Sequence, residues 1–198
     1  MKILAFTDVH GSIKELNKLK KKSKSADFIC CCGDFTIFET NLLKILEKIN
    51  SFNKKIFLIT GNHEDPKTIE VFSELFENII FLNNSYYLYK DILILGAEGN
   101  GFATIDNEFK KTANYFKKII KKINPKKIIL ITHAPPYKTK HDKIDNYYNG
   151  NKTIRKFIEE IKPLYAFSGH IHENFNTTDK IKNTITINPG FTGRIINI

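Results

Sequence analysis

Residues 2–23 read KILAFTDVHGSIKELNKLKKKS, and this stretch indicates the fold class of the whole chain. The apolar run KILAFT has the length and composition of a buried strand. The segment after it has helical periodicity, with Ser12 as N-cap and Glu15 at the capping-box position. Asp8 and His10 lie between the two elements. The pattern therefore predicts a strand, a short polar connection and an amphipathic helix.

The same order of elements recurs along the chain. Strands are predicted at 27–32 and 55–60, and helices follow at 41–50 and 67–76. Alternating strands and helices predict a mostly parallel sheet, so we expect an α/β protein. In the second half, we expect strands or helices at 78–83, 85–90, 92–97, 108–123, 126–132, 151–161, 164–168, 184–188 and 193–198. Since no linker or repeat interrupts them, residues 1–198 are expected to form a single domain.

Composition limits the classes of function. The net charge is +10, and 29 of the 31 basic residues are lysine, mostly on predicted helix faces without interleaved aromatic residues. Nucleic acid is therefore a weakly supported partner that rests on charge alone. No apolar run approaches the roughly 18 residues of a membrane span, and the N-terminus lacks a cleavage site, so no membrane partner and a cytoplasmic protein are expected. The consecutive Cys30, Cys31 and Cys32 predict a buried strand and no disulfide.

Polar side chains that can bind metal follow five of the predicted strands. Five of the six histidines are among them. Because the carboxyl ends of strands in an α/β sheet converge on one edge, we expect these side chains to lie close together. They are Asp8, His10, Asp34, Asn62, His63, His133, His170 and His172.

The residue types indicate which metals would bind. Aspartate, asparagine and histidine supply oxygen and imidazole donors without thiolate, which suits manganese, iron, nickel or zinc in an open site. Without His63, these residues supply seven donors, which are too many for one open ion but suit two ions that share a bridging carboxylate. Two such ions can clamp a phosphoryl group and activate a water molecule.

Five short motifs resemble those of the calcineurin-like metallophosphoesterases. They are Asp8-x-His10, Gly33-Asp34, GNHE at 61–64, His133 after a strand, and GHIH at 169–172. They occur in the family's order and extend from residue 8 to residue 172. Two further stretches, THAPPYKTKHD at 132–142 and NPGFTG at 188–193, are similar to compact Icc-type predicted phosphoesterases.

The resemblance implies a four-layer αββα sandwich with mixed sheets and a dimetal site at the strand ends. In this interpretation Asp34 bridges two ions, of which manganese is favoured. The implied ligands of the first ion are Asp8, His10 and His172, and those of the second are Asn62, His133 and His170. The implied nucleophile is a metal-bridging hydroxide. His63 would act as general acid, and Asn62 would also contact the phosphate.

The implied activity is hydrolysis of a small phosphoester or nucleotide-type substrate, with a phosphodiesterase favoured. A phosphomonoesterase or nucleotide pyrophosphatase is the alternative, and a non-catalytic scaffold is disfavoured because no ligand is missing. Protein phosphatases of the superfamily carry an Asp-Arg pair where GDFTIFE has Ile37 and Phe38. A protein phosphatase is therefore disfavoured, and the residue that orients His63 is left open.

The long loop at residues 134–150 and the segment before helix 108–123 hold weaker candidates. We interpret His141 as a solvated loop histidine in preference to a substrate contact. The loop tyrosines at 137, 147 and 148 either wall a substrate pocket or pack the loop. Asn100 follows a predicted strand and is a minor candidate to face the metals.

Overall fold

The computed structural model describes residues 1–98 and 103–198, so Asn100 lies outside the described residues. The helices are α1 (Ile13–Ser23), α2 (Leu42–Asn50), α3 (Pro66–Ser73), α4 (Asn107–Ile123) and α5 (Lys152–Ile161). The strands are β1 (Lys2–Phe6), β2 (Phe28–Cys31), β3 (Ile56–Leu58), β4 (Ile79–Phe81), β5 (Ser85–Tyr89), β6 (Ile92–Ala97), β7 (Lys127–Thr132), β8 (Lys143–Ile144), β9 (Tyr147–Tyr148), β10 (Tyr165–Phe167), β11 (Thr177–Ile181), β12 (Thr184–Asn188) and β13 (Arg194–Asn197). None of these helices is long and apolar enough to cross a membrane.

The strands form two large mixed sheets. The first has the order β13-β1-β2-β3-β4, in which β1 to β4 are parallel and β13 is antiparallel to β1. The second has the order β11-β12-β10-β7-β6-β5, in which only the edge strands β11 and β5 are antiparallel to their neighbours. The parallel β1–β4 arrangement follows from the repeated strand–helix order of the sequence.

Three apolar layers hold the sandwich together. Helices α1 to α3 cover the outer face of the first sheet, with Leu16 and Ile69 in that layer. Helices α4 and α5 cover the outer face of the second sheet, where Phe116 and Phe157 pack. The inner faces of the two sheets meet around residues such as Phe57. The α/β class and the four-layer αββα sandwich with mixed sheets are thus confirmed.

The three cysteines illustrate how β2 is buried on both faces. Cys31 packs toward the helices, whereas Cys30 and Cys32 lie between the two sheets. All three thiols are free and fully buried, and this burial raises the pKa of each of them. The prediction of a buried strand without a disulfide is confirmed, and the thiols are unreactive because the thiolate form is disfavoured.

The start of α1 fixes the connection that carries Asp8 and His10. Ser12 caps the helix by accepting a hydrogen bond from the backbone N–H of Glu15, at 3.4 Å. The reciprocal half of a capping box is absent, because the backbone N–H of Ser12 donates to the carbonyl of Val9. The N-cap prediction is confirmed, and the connection closes on itself in a tight turn directly after Asp8.

Several elements of the second half do not follow from the sequence pattern. Strand β11 has the sequence TTDKI, which contains one apolar residue and so no alternating pattern. It is a strand because it pairs with β12. Residues 134–150 contain the short hairpin of β8 and β9. In this loop Tyr137 and Tyr148 pack against each other, with ring centroids 6.1 Å apart, while Tyr147 is exposed.

The interpretation of His141 as a solvated histidine is wrong. Its side chain is fully buried, with Nδ1 2.6 Å from Thr177 Oγ1 and Nε2 2.8 Å from Thr186 Oγ1. It therefore joins the 134–150 loop to β11 and β12. Asp142 is also fully buried and accepts hydrogen bonds from backbone N–H groups of the same loop. His141 thus holds the loop against the second sheet, and Asp142 holds the loop in its own conformation.

Burial of His141 leads to a prediction about acid stability. Burial lowers its pKa to about 4 from the ordinary 6.5. Because the unfolded chain takes up this proton first, the free energy of unfolding should fall as the pH drops from 6.5 to 4, by about 3 kcal/mol from this residue. Urea unfolding of metal-free protein across this range should show a shallower decline in the His141→Gln variant than in the wild type. Equal slopes would contradict the prediction.

Candidate metal centre

The carboxyl ends of five strands bring the predicted side chains together at one edge of the sandwich. Strands β1, β2 and β3 belong to the first sheet, and β7 and β10 to the second. The side chains that meet there are Asp8, His10, Asp34, Asn62, His63, His133, His170 and His172. The site therefore lies across the junction of the two sheets.

One group of donors consists of Asp8, His10 and His172. Asp8 Oδ1 is 3.9 Å from His10 Nε2 and 3.5 Å from His172 Nε2. The two Nε2 atoms are 3.2 Å apart. One donor atom from each residue lies within 4.8 Å of the other two, which is a spacing that one metal ion can bridge.

A second group surrounds the amide of Asn62. Its Oδ1 atom is 3.2 Å from His133 Nε2 and 2.9 Å from His170 Nδ1. His133 Nδ1 donates to the carbonyl oxygen of Cys32 at 2.8 Å. Because a carbonyl can only accept, this bond directs Nε2 of His133 toward the site.

Asp34 lies between these two groups. Its Oδ2 atom is 3.3 Å from His133 Nε2, 4.0 Å from His10 Nε2 and 3.9 Å from His63 Nε2. Its Oδ1 atom accepts a hydrogen bond of 3.0 Å from the backbone N–H of His63. One carboxylate thus faces donors from both groups.

A carboxylate oxygen of Asp8 tests whether the site suits a cation. Asp8 Oδ2 accepts hydrogen bonds from Thr7 Oγ1 at 2.6 Å and from the backbone N–H of His170 at 3.1 Å. Asp8 Oδ1 is buried and has no hydrogen-bond partner within residues 1–98 and 103–198. A buried carboxylate oxygen without a partner is costly, and a bound cation would offset that cost. The residues therefore fit a metal ion.

The backbone at this edge is held in a sparsely populated conformation. Asp8, His10, Asp34 and His170 have φ values of 53°, 43°, 50° and 72°. Each such residue stores on the order of 1–3 kcal/mol of strain, which persists only where the surrounding structure enforces it. A Cβ atom at Gly169 would lie 2.0 Å from Thr7 Oγ1 and 2.4 Å from Asp8 Oδ2, so only glycine permits this approach.

Glu64 is a site residue to which the sequence assigned no role. It is buried, and its carboxylate accepts hydrogen bonds from the backbone N–H groups of Asp34 at 3.1 Å, Gly61 at 3.0 Å and Thr36 at 2.8 Å. The hydroxyl of Thr36 donates to the same carboxylate at 2.8 Å. Glu64 therefore fixes the loop after β2 against the loop after β3. Its signal in the sequence is the fourth position of GNHE.

A family model for calcineurin-like phosphoesterases matches residues 1–174 of the chain. The chain belongs to the calcineurin-like phosphoesterase family. Membership makes it a phosphoesterase, which is a hydrolase of phosphoric esters, and the resemblance of its five motifs to that family is confirmed.

Two curated proteins and one solved structure are similar to most of the chain. An uncharacterized protein of Methanocaldococcus jannaschii is 32% identical over 198 residues, which cover 96% of this chain and 88% of that protein. A probable glycerophosphodiester phosphodiesterase of Arcobacter nitrofigilis is 24% identical, over 83% of this chain and 62% of its own length. The structure of a dimetal phosphatase from Danio rerio superposes with a TM-score of 0.67 at 7% identity, over 94% of this chain and 86% of that chain.

Asp34 and His133 in the phosphoesterase site each stabilise the charged form of the other. Burial favours the neutral form of Asp34, but hydrogen bonding and charge from His133, together with His63, lower its pKa to about 2. Burial likewise opposes charge on His133, but the hydrogen bond to Asp34 and the charge of Asp8 raise its pKa to about 9. Near neutral pH the metal-free protein therefore carries a proton on His133, and a metal ion bound there would compete with that proton.

The remaining site histidines fall into two classes. Burial lowers the pKa of His10, and it lowers the pKa of His170 to about 4. These imidazoles are neutral near pH 7, which is the form that binds metal. The close contact of its Nε2 atom with the Asp8 carboxylate, at 3.5 Å, instead raises the pKa of His172.

His63 has surroundings of a different kind. Its Nδ1 atom is buried and has no hydrogen-bond partner in the described part of the chain, so no carboxylate there bonds to this nitrogen. Its ring packs against that of Phe38, with centroids 4.4 Å apart, and against that of His10 at 4.9 Å. Aromatic contacts thus hold the ring of His63.

Proposed function

We propose that this phosphoesterase is a phosphodiesterase that uses two divalent metal ions. The observation that supports this most directly is the position of Asp34 between the Asp8–His10–His172 group and the Asn62–His133–His170 group. A carboxylate shared by two sets of oxygen and imidazole donors is the arrangement that a dinuclear centre requires.

In this proposal each donor group holds one ion, and Asp34 bridges them. Among manganese, iron, nickel and zinc we favour manganese, because three carboxylate or amide oxygens accompany the imidazoles and no thiolate is present. When bound, the two ions would supply Lewis acidity toward the phosphoryl oxygens and activate water for attack.

The chain's own residues would provide the remaining steps. Oδ1 of Asn62 faces two imidazoles, so its Nδ2 is left to donate a hydrogen bond to a phosphoryl oxygen. His63 would donate a proton to the departing alkoxide, a role that imidazole side chains commonly fill.

The arginines favour a diester over a monoester. A phosphomonoester carries a second negative charge, for which a bidentate arginine is the most suitable partner. Both arginines of the chain are bonded elsewhere: Arg155 Nε to Glu159 Oε1 at 2.8 Å, and Arg194 to Thr178 Oγ1 at 2.6 Å. The relative from Arcobacter nitrofigilis named as a phosphodiesterase points in the same direction.

The proposal is tested by metal analysis and paired substrates. The full chain, loaded with Mn²⁺, should bind two equivalents and hydrolyse bis(4-nitrophenyl) phosphate with at least 10-fold higher kcat/KM than 4-nitrophenyl phosphate. Treatment with a chelator should remove both metal and activity. A preference for the monoester, or cleavage confined to nucleotide anhydrides, would instead support the phosphomonoesterase or pyrophosphatase alternative.

We also propose that residues 1–198 act as a single domain, because side chains from both sheets are needed for one site.

The three free, buried cysteines are compatible with the reducing cytoplasm, which we propose as the compartment. The expected partner is a small phosphoester or nucleotide-type substrate. A nucleic-acid partner would be supported only by binding with a steep salt dependence.

A further inference from the structure

A groove opens beside the proposed metal centre and shares His10 with it. Its volume is about 320 Å³, close to the lower end of the roughly 300–1,000 Å³ typical of small-molecule sites. Its walls include the apolar side chains of Ile13, Ile37 and Ile45, and Lys44 also lines it. It therefore has room for one ring-sized group. Three isoleucines line it, together with the polar residues His10, Thr40 and Asn41 and the cation of Lys44.

The wall that carries Ile37 is fixed, although it is strained and exposed. Phe38, Glu39 and Asn41 have φ values of 45°, 60° and 55°. The backbone N–H of Thr40 donates to the carbonyl of Ile37 at 2.9 Å, and the Glu39 carboxylate accepts from the backbone N–H of Asp65 at 2.8 Å. The first bond closes the loop on itself, and the second ties it to the segment that directly follows His63 and Glu64.

The two side chains at the tip of this loop are exposed apolar groups. Phe38 is 74% exposed and Ile37 is 47% exposed. A strained backbone that holds apolar side chains in solvent costs free energy, and such strain concentrates where a ligand is bound. Contact with a substrate would cover these side chains.

We propose that this groove binds the leaving group of the phosphoester, and that it selects an apolar or aromatic leaving group. The proposal rests on the proposed function. The orientation of the leaving group is inferred from His63, the proposed proton donor to the leaving oxygen. Phe38 packs on the His63 ring, and Ile37, the residue next to Phe38, lines the groove. A group that departs with the protonated oxygen is thus directed along the groove, and Lys44 attracts any negative charge on it.

The test uses the Ile37→Ser variant and a matched control. Leu43→Ser removes a similarly exposed apolar side chain, at 44%, from a residue that does not line the groove. The substrate is methyl 4-nitrophenyl phosphate, in which only the leaving group is aromatic. Ile37→Ser should raise KM about 5- to 10-fold with little change in kcat, since about half of one isoleucine side chain would be covered. Leu43→Ser should match the wild type.

A binding measurement separates this inference from the proposed function. Addition of 4-nitrophenol to the full chain loaded with diamagnetic Zn²⁺ should shift the NMR methyl resonances of Ile13, Ile37 and Ile45. If the wild type hydrolyses the diester but Ile37→Ser behaves like Leu43→Ser, the groove is not the leaving-group site. The inference would also be overturned if Ile37→Ser raised KM for bis(4-nitrophenyl) phosphate but not for methyl 4-nitrophenyl phosphate. If 4-nitrophenol shifts these resonances while no phosphodiester is cleaved, the aromatic site is supported and the proposed function fails.

Discussion

Asp34→Asn is expected to abolish metal binding and turnover together. The substitution keeps the size of the side chain but removes the charge that faces His10, His63 and His133. A neutral amide cannot bridge two cations, and Lewis-acid stabilisation contributes several kcal/mol, so kcat/KM should fall by more than about 10³-fold. Metal content by mass spectrometry and titration calorimetry would be measured alongside the rate.

Asp142→Asn is the matched control for this experiment. Asp142 is also a buried carboxylate that accepts backbone N–H bonds, but these bonds come from the 134–150 loop and not from a metal-centre residue. It should retain metal and activity whenever circular dichroism shows a folded protein. An Asp34→Asn protein that binds two metal ions and turns over normally would refute the bridging assignment.

His63→Ala is expected to keep the metal ions and lose rate according to the leaving group. If His63 donates the proton to the leaving oxygen, a diester with an alkyl alcohol should be hydrolysed about 10²–10⁴-fold more slowly, because that alkoxide needs protonation. A diester with a 4-nitrophenol leaving group should lose much less, since that anion departs without a proton. The measurement is kcat for both substrates, with metal stoichiometry determined on the same samples.

The outcome also distinguishes a second role for His63. A donor nitrogen of His63 lies within 4.8 Å of donors from His10 and Asp34, which is close enough for a shared ion. Loss of metal from His63→Ala, with equal losses of rate for both leaving groups, would identify His63 as a ligand and exclude it as the acid. Unchanged turnover of the alkyl diester would exclude both roles.

Local patterns were enough to predict the position of most site residues. Asp8 and His133 each follow an apolar run, and parallel strands place such residues at a common edge. The division into two sheets does not follow from the same patterns. Between β4 and β5 the chain passes from one sheet to the other through residues 82–84, and nothing in that short segment differs from a hairpin turn. That part of the fold was predicted only through the family resemblance.

The residues that sequence reasoning misjudged depend on contacts that are distant in sequence. His141 is buried because Thr177 and Thr186 approach it from β11 and β12. Glu64 acts on the backbone of Asp34 and Thr36, about 30 residues earlier in the chain. A single histidine or glutamate in a polar loop carries no periodic signal, so neither role can be read from neighbouring residues.

Because the donors come from both sheets, the alignment of the two sheets sets the geometry available to the metal ions. Asp34 is supplied by the first sheet and His133 by the second, and the apolar layer between the sheets, with Phe57 and Ile94, keeps them in register. A substitution in that layer could slide one sheet past the other by a fraction of an ångström without touching a ligand. Divergence of core residues among relatives is thus a route to altered metal preference in which every ligand is retained.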